Sequence, residues 1–434
     1  MSALTVGIII FAAMIVLVLI GVPIYTAMIS TSIVGFLLIS NPTMTVMQFT
    51  NGPFSLSASY TYAVVPLFMV VGTLAGETGL AAGAYSSARK WLGRQRGGLL
   101  YATVVANALF GACSGLAAAA NVVFSRIALP ELNKAKYNQR LSLGCITAAG
   151  CLSALIPPSV PIITFCLLTD VSIGQALMSG VSAGILLMAV MCIAIFIVSK
   201  IQPSKIPPVS EEDKNVSLKE KLQSLKYLLP ILVLFGLIVG GSFFGWFPAT
   251  VGGAVATMVL IIYAIVKKVP IKKIFLQVWD GSSMFGSIFL IIVAGTMFSR
   301  LVAMTGMADG IAAAIAAANI PKFAVFMMVV VFYLICGCLM ELMSMMIITL
   351  PIVYPLLTGL GYHPLVLVVT LVFLMDMAQM TPPIGIGVFT VSAATNIPSG
   401  EIFKGVLPFF LVDLAMVILI ALVPELVLWL PNLM

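Results

Sequence analysis

The chain has 434 residues, 62% of them hydrophobic and only 8% charged, with a mean hydropathy of +1.20. A soluble domain carries about 25% charged residues, whereas here apolar runs of about 20 residues, the length that crosses a hydrocarbon core, recur from end to end; a large soluble domain is excluded. The net charge of +7 does not point to nucleic acid, because the basic residues gather in loops between apolar runs, where they act as topology signals.

The opening MSALTVGIII has no basic residue ahead of its apolar run, so it reads as a first membrane helix with its N-terminus outside rather than as a cleaved signal peptide. Spans follow at 4–20, 22–40 and 62–82. The stretch 99–130 is too long for one crossing at about 1.5 Å per residue and too short for two. It is interrupted by GACSG and reads as a re-entrant hairpin with its tip at Cys113, Ser114 and Gly115. A span at 142–168 contains IPPSVP, and another covers 175–199. After a polar linker at 201–226 come spans at 227–244 and 248–266, an amphipathic stretch at 267–283, and a span at 284–303. A second hairpin at 323–357, a span at 364–392 containing TPPIGIG, and a last span at 402–430 complete the chain.

The two Pro-Pro pairs tie this order together. Proline inside a helix removes a donor and clashes with the preceding turn, so both spans must open at membrane depth. Pro157 and Pro382 are 225 residues apart, as are Pro23 and Pro248; Gly72-Thr73 matches Gly295-Thr296 at 223, and Gly174 matches Gly400 at 226. The fold class expected is therefore an all-α polytopic membrane protein of two repeats, 1–200 and 227–434, joined by a cytoplasmic linker at 201–226. The first repeat has scaffold helices within 1–60 and its hairpin and broken helix within 99–168; the second has a hairpin at 323–357 and a broken helix at 364–392. Five crossings per half invert the second repeat. Placing both termini outside then collects residues 85–98, 131–140, 200–226 and 267–273, and nearly all lysine and arginine, on one face. Inverted repeats with broken helices at the midplane are the architecture of secondary transporters.

Broken helices aim carbonyls and half-helix ends at one point. In the first half this gathers Ser114, Gly115, Ser153, Ile156 and Ser159; in the second, Gly337, Ser344, Thr381, Pro382 and Gly385. Carbonyl and hydroxyl oxygens are hard ligands suited to an alkali cation such as sodium, while half-helix N-termini attract an anionic group; the plain alternative is that Gly and Pro only permit kinks and close packing. Ionisable residues inside apolar segments are the second signal. Arg300 (GTMFSR) stands where the first half has Glu77 (GTLAGE), and its planar fork suits a substrate carboxylate or sulfonate, unless it snorkels outward from a helix end. Glu341 and Asp376, with Ser344 and Ser159, are expected at the substrate. Asp413 lies away from the tips and reads as structural or as a subunit contact. Seven cysteines lack metal or disulfide spacing, and with one loop histidine, His363, no catalytic constellation is seen. No Gly-rich phosphate loop is present, so the chain reads as a transporter rather than an enzyme, without a cofactor.

Together these segments resemble a known family. GVP at 21–23, PLFMVVGTLAGETGL from Pro66, FGACSG at 110–115, LIPPSVP at 155–161, TLPIVYPLL at 349–357, TPPIGIGVF at 381–389 and the closing LVLWLP are similar to the large membrane subunit of tripartite ATP-independent periplasmic (TRAP) transporters. The resemblance implies a sodium-coupled, elevator-type importer of a small organic anion in the bacterial inner membrane. Its partners would be a small four-helix membrane subunit and an extracytoplasmic substrate-binding protein, besides membrane lipid. It places one sodium site on Ser114, Gly115 and the Ser153 to Ser159 segment, the other on Gly337 and the Thr381 to Gly385 segment, with substrate between them. Leu116, Glu341, Ser344 and the MDMAQM lead into TPP depart from the family's pattern and put a C4-dicarboxylate in question. The alternative is a stand-alone divalent-anion/sodium symporter of similar fold.

Overall fold

A computed structural model describes residues 2–434, and among them every regular element is a helix. Six helices are long and apolar enough to cross a membrane alone: Tyr60–Glu77, Ile173–Ile201, Ala249–Val266, Ile271–Thr305, Leu342–Gly359 and Ser399–Leu422. Two bent pairs, Gln139–Leu155 with Val160–Thr169 at 45° and Leu218–Tyr227 with Leu229–Phe243 at 47°, raise the number to eight. Ala3–Leu19 and Ile24–Ile39 are apolar but one or two residues shorter. Large apolar side chains such as Ile8, Leu19, Ile193, Phe196 and Leu411 stay on the outside, which is the pattern of a polytopic membrane protein, whose solvent on that side is lipid.

The Pro-Pro breaks fall where the sequence carries them, ahead of Val160–Thr169 and Ile386–Thr395, but the bend between Leu218–Tyr227 and Leu229–Phe243 lies where a linker and one straight span at 227–244 are expected. Two further segmentations do not hold. The amphipathic stretch 267–283 and the span 284–303 form one 35-residue helix, Ile271–Thr305, since nothing between them removes a backbone donor, and the chain turns instead at Lys268, whose φ is +59°. The last span ends at Leu422, because Pro424 disfavours helical backbone at Val423, whose φ of −127° and ψ of 78° lie outside the helical region. Helices at Pro42–Ser57, Leu80–Leu92 and Met307–Ala317 were not expected.

One smaller core unites Ala3–Leu19 and Ile24–Ile39 with the end of Ile271–Thr305 through Met14, Met28, Phe36, Phe298 and Leu301. The larger core holds the hairpins and broken spans. Within it, the Gln139–Ala149 helix crosses Ser399–Leu422 at Gly144 and Gly405, where a Cβ on Gly144 would lie 1.9 Å from the Gly405 carbonyl oxygen. The linker docks through Arg89, which meets Asp213 at 2.9 Å, Glu131 at 2.7 Å and Glu212 at 3.6 Å.

Candidate functional site

The first hairpin runs up Gly98–Ser114 and back along Ala117–Lys134. Gly115 ends the first arm with φ +65°, a left-handed conformation that glycine adopts without penalty, and Leu116 is extended. This tip presses on the break of the first bent span. A Cβ on Gly115 would stand 2.0 Å from the Pro158 carbonyl oxygen, and the Val160 amide donates to Gly115 O at 3.4 Å. Ser159 caps Val160–Thr169: its Oγ accepts from the Ile162 amide at 3.2 Å and donates to Ala154 O. Ile156 lies in the same break, its side chain on Gly184. The hydroxyls of Ser114 and Ser153 are fully buried and have no protein partner.

The second hairpin pairs Lys322–Gly337 with Leu342–Gly359. Gly337 lies so close to Ala378, on Pro364–Ala378, that a Cβ would be 2.3 Å from that residue's own. Cys338 Sγ lies 3.2 Å from Thr381 Oγ1 and donates to Pro382 O at 3.0 Å, while Thr381 Oγ1 donates to Ala378 O at 2.6 Å. Gly385 packs 2.8 Å from Gln379 O at its missing Cβ and leads into Ile386–Thr395. Both Pro-Pro peptides, Pro157–Pro158 and Pro382–Pro383, are cis.

Between the two tips lies a cavity of about 590 Å³, within the size range of small-molecule sites. Leu116 and Ala117 to Ala119 line it from the first hairpin, and Glu341, Leu342 and Met343 from the second. Asp376, Gln379, Ile386, Gly387 and Thr390 come from the second broken span, and Met284, Ser287 and Ile288 from the 35-residue helix. Glu341 is exposed to this space; its Oε2 accepts from the amides of Met343 at 2.9 Å and Ser344 at 3.3 Å, capping the returning helix. Asp376 is 5% exposed; its Oδ1 accepts from Gln379 Nε2 at 3.4 Å and its Oδ2 has no partner. No Lys, Arg or His lines the cavity.

The structure thus brings Glu341 and Asp376 together in one chamber. Ser344 is buried beneath it and meets Glu341 through its amide, and the Ser159 side chain is spent on its cap, so neither hydroxyl faces the chamber. Arg300 does not join them. It is exposed near the far end of Ile271–Thr305, outside the cavity, and donates to Gln48 Oε1 at 2.8 Å, a placement that fits the outward-facing alternative. Asp413 is fully buried, which suits the structural of its two readings and not the subunit contact; its acidic neighbour is Asp376, and neither of its oxygens has a partner. Asn121, Thr147, Cys151, Ser287 and Thr390 line the chamber without having been singled out. Asn121, a lone amide in the apolar return arm, was the one with a usable signal. Among the described residues no three His, Cys, Asp or Glu converge as a metal cluster; the chamber offers binding groups and half-helix ends.

Comparison with known proteins agrees with this architecture. A model of the tripartite ATP-independent periplasmic transporter DctM component matches residues 11–426. The C4-dicarboxylate TRAP transporter large permease protein DctM of Pseudomonas aeruginosa is 30% identical over 87% of this chain and 88% of its own. The ectoine/5-hydroxyectoine large permease protein UehC of Ruegeria pomeroyi is 25% identical over 98% of each. Among solved structures, MtrF of Neisseria gonorrhoeae covers 99% of this chain and 95% of its own with a TM-score of 0.56 at 13% identity, a likeness of fold alone. The chain belongs to the DctM family of TRAP transporter large permease subunits, and is a multi-pass membrane transporter component rather than an enzyme.

Proposed function

We propose that this subunit imports a small organic acid across a bacterial inner membrane, driven by sodium and delivered by an extracytoplasmic binding protein, with a small membrane subunit as partner. The two halves, 1–200 and 227–434, act as inverted repeats with both termini periplasmic, and the hairpin-bearing body moves as an elevator. The observation that carries the sodium reading is the pair of buried hydroxyls on Ser114 and Ser153 without a partner, beside a hairpin tip pressed into a broken helix. Buried hydroxyls left unpaired cost about 1–3 kcal/mol each, and a hard cation would satisfy both. Gly115, Ile156 and Ser159 complete that cradle through the backbone of tip and break. Gly337, Thr381, Pro382 and Gly385 form the second around the facing junction.

Reconstitution of the chain with its small subunit and binding protein in proteoliposomes tests this reading. Uptake should follow an inward sodium gradient and vanish when choline replaces sodium. Uptake indifferent to sodium would overturn it, and transport by the purified chain alone would point to a stand-alone symporter.

A further inference from the structure

We propose that the solute held in the cavity is a zwitterion, a small acid that also carries an ammonium or amidinium group. Its carboxylate lies at the N-terminus of Ala117–Lys134 and its cation between Glu341 and Asp376. The inference rests on reading this cavity as the substrate site, and it narrows the class of acid.

The two returning arms differ where they meet the cavity. A helix N-terminus presents unpaired amides and a partial positive charge, a natural seat for an anion. Ala117–Lys134 begins behind Leu116 with no side-chain cap, and Ala117 to Ala119 line the cavity, so this seat is open. Leu342–Gly359 begins behind Glu341, whose own carboxylate accepts from Met343 and Ser344. The second seat is filled by the protein itself. One exogenous carboxylate has a place; a second carboxylate on the same solute would face Glu341 and Asp376, which line the same cavity.

Asp376 supplies the independent observation. It is 95% buried, it lines the cavity, and its Oδ2 has no partner. An ionised carboxylate in that position needs a cation, since an unpaired charge inside a membrane protein is costly. The protein provides none: the lining has no basic side chain, Arg300 is engaged by Gln48, and Asp413, buried behind Asp376, is a second acid with no positive charge to offer. Leu116, Ile288 and Met343 give the space between these ends an apolar wall suited to a short hydrocarbon body.

Thermal-shift titration of the full chain in lipid nanodiscs, at saturating sodium, separates the charge classes. The probes are ectoine and 4-aminobutyrate as zwitterions, butyrate as a monoanion and succinate as a dianion. At least one zwitterion should stabilise the wild type at concentrations where butyrate and succinate do not. Glu341→Gln, which keeps an oxygen to cap the helix, and separately Asp376→Asn should weaken that response roughly tenfold to a hundredfold, the value of a charge-assisted contact. A larger response to succinate, no response to either zwitterion, or Asp376→Asn altering the sodium requirement while leaving zwitterion affinity intact would overturn the proposal. Sodium-driven uptake of succinate by the complete assembly would remove the zwitterion and leave the transport reading standing; loss of all sodium dependence would remove the transport reading itself.

Discussion

Replacing Gly115 by alanine tests the junction on which the first cation cradle depends. The new Cβ would sit 2.0 Å from the Pro158 carbonyl oxygen, where real contacts do not fall under 3.0 Å, so tip and break must part by about 1 Å. The backbone there has φ +65°, a conformation costing roughly 1–2 kcal/mol for a residue with a side chain, and overpacking adds about 1–3 kcal/mol. The sum, about 2–5 kcal/mol, should appear as a clear fall in the melting temperature of the purified protein and as loss of any stabilisation by sodium. Gly76→Ala is the control: no atom lies within 4 Å of its Cβ and its φ is ordinary, so it should be neutral or stabilising by up to about 1 kcal/mol. If Gly115→Ala melted with the wild type and kept its sodium response, the tip would not be seated on the break and the reasoning would fail.

Ser114→Ala and Ser153→Ala, which each remove one unpaired buried hydroxyl, should leave the fold intact while raising the sodium concentration for half-maximal uptake; an unchanged requirement counts against the cation cradle. Ser159→Ala should cost about 1 kcal/mol of stability through its lost cap, read from the melting curve, with no fall meaning that the cap contributes nothing. Arg300→Ala should leave substrate affinity in reconstituted uptake near wild type, because Arg300 is exposed and bonded to Gln48 outside the cavity; abolished uptake would return it to the site. Arg89→Ala leaves Asp213, 5% exposed at its side chain, without its cation and should make the 201–217 segment markedly more sensitive to limited proteolysis, an effect that an unchanged digestion pattern would disprove.

The parts of this fold legible in the sequence are those where one residue acts on its own backbone. Pro157, Pro158, Pro382 and Pro383 open helices wherever they stand, and the turn at Gly115 was readable because an apolar run of that length cannot continue straight. Helix Pro42–Ser57 escaped notice because PTMTVMQFTNGPFSLS is too polar for a span and its start depends on the Asn41 cap, whose Oδ1 accepts from Met44 N at 2.8 Å. The chamber itself was half legible. Glu341 and Asp376 stood out as acids among apolar residues, but the removal of Arg300 and the approach of Asp413 depend on how distant helices pack, which no local pattern encodes. The self-capping of the second hairpin by Glu341 was likewise hidden, since a lone acid in GCLMELMS reads equally as ligand or cap.

The crossing at Gly144 and Gly405 constrains how the chamber can open. Two backbones that meet without room for a methyl group behave as a weld, and the tip at Gly115 adds a second joint on the same block. The Gln139–Ala149 helix, its Pro-Pro break and the last long helix are thereby packed into one block. Facing that block across the chamber are Met69 of Tyr60–Glu77 and Met284, Ser287 and Ile288 of the 35-residue helix. A gate on that side asks for sliding along one surface, not for refolding of either broken span.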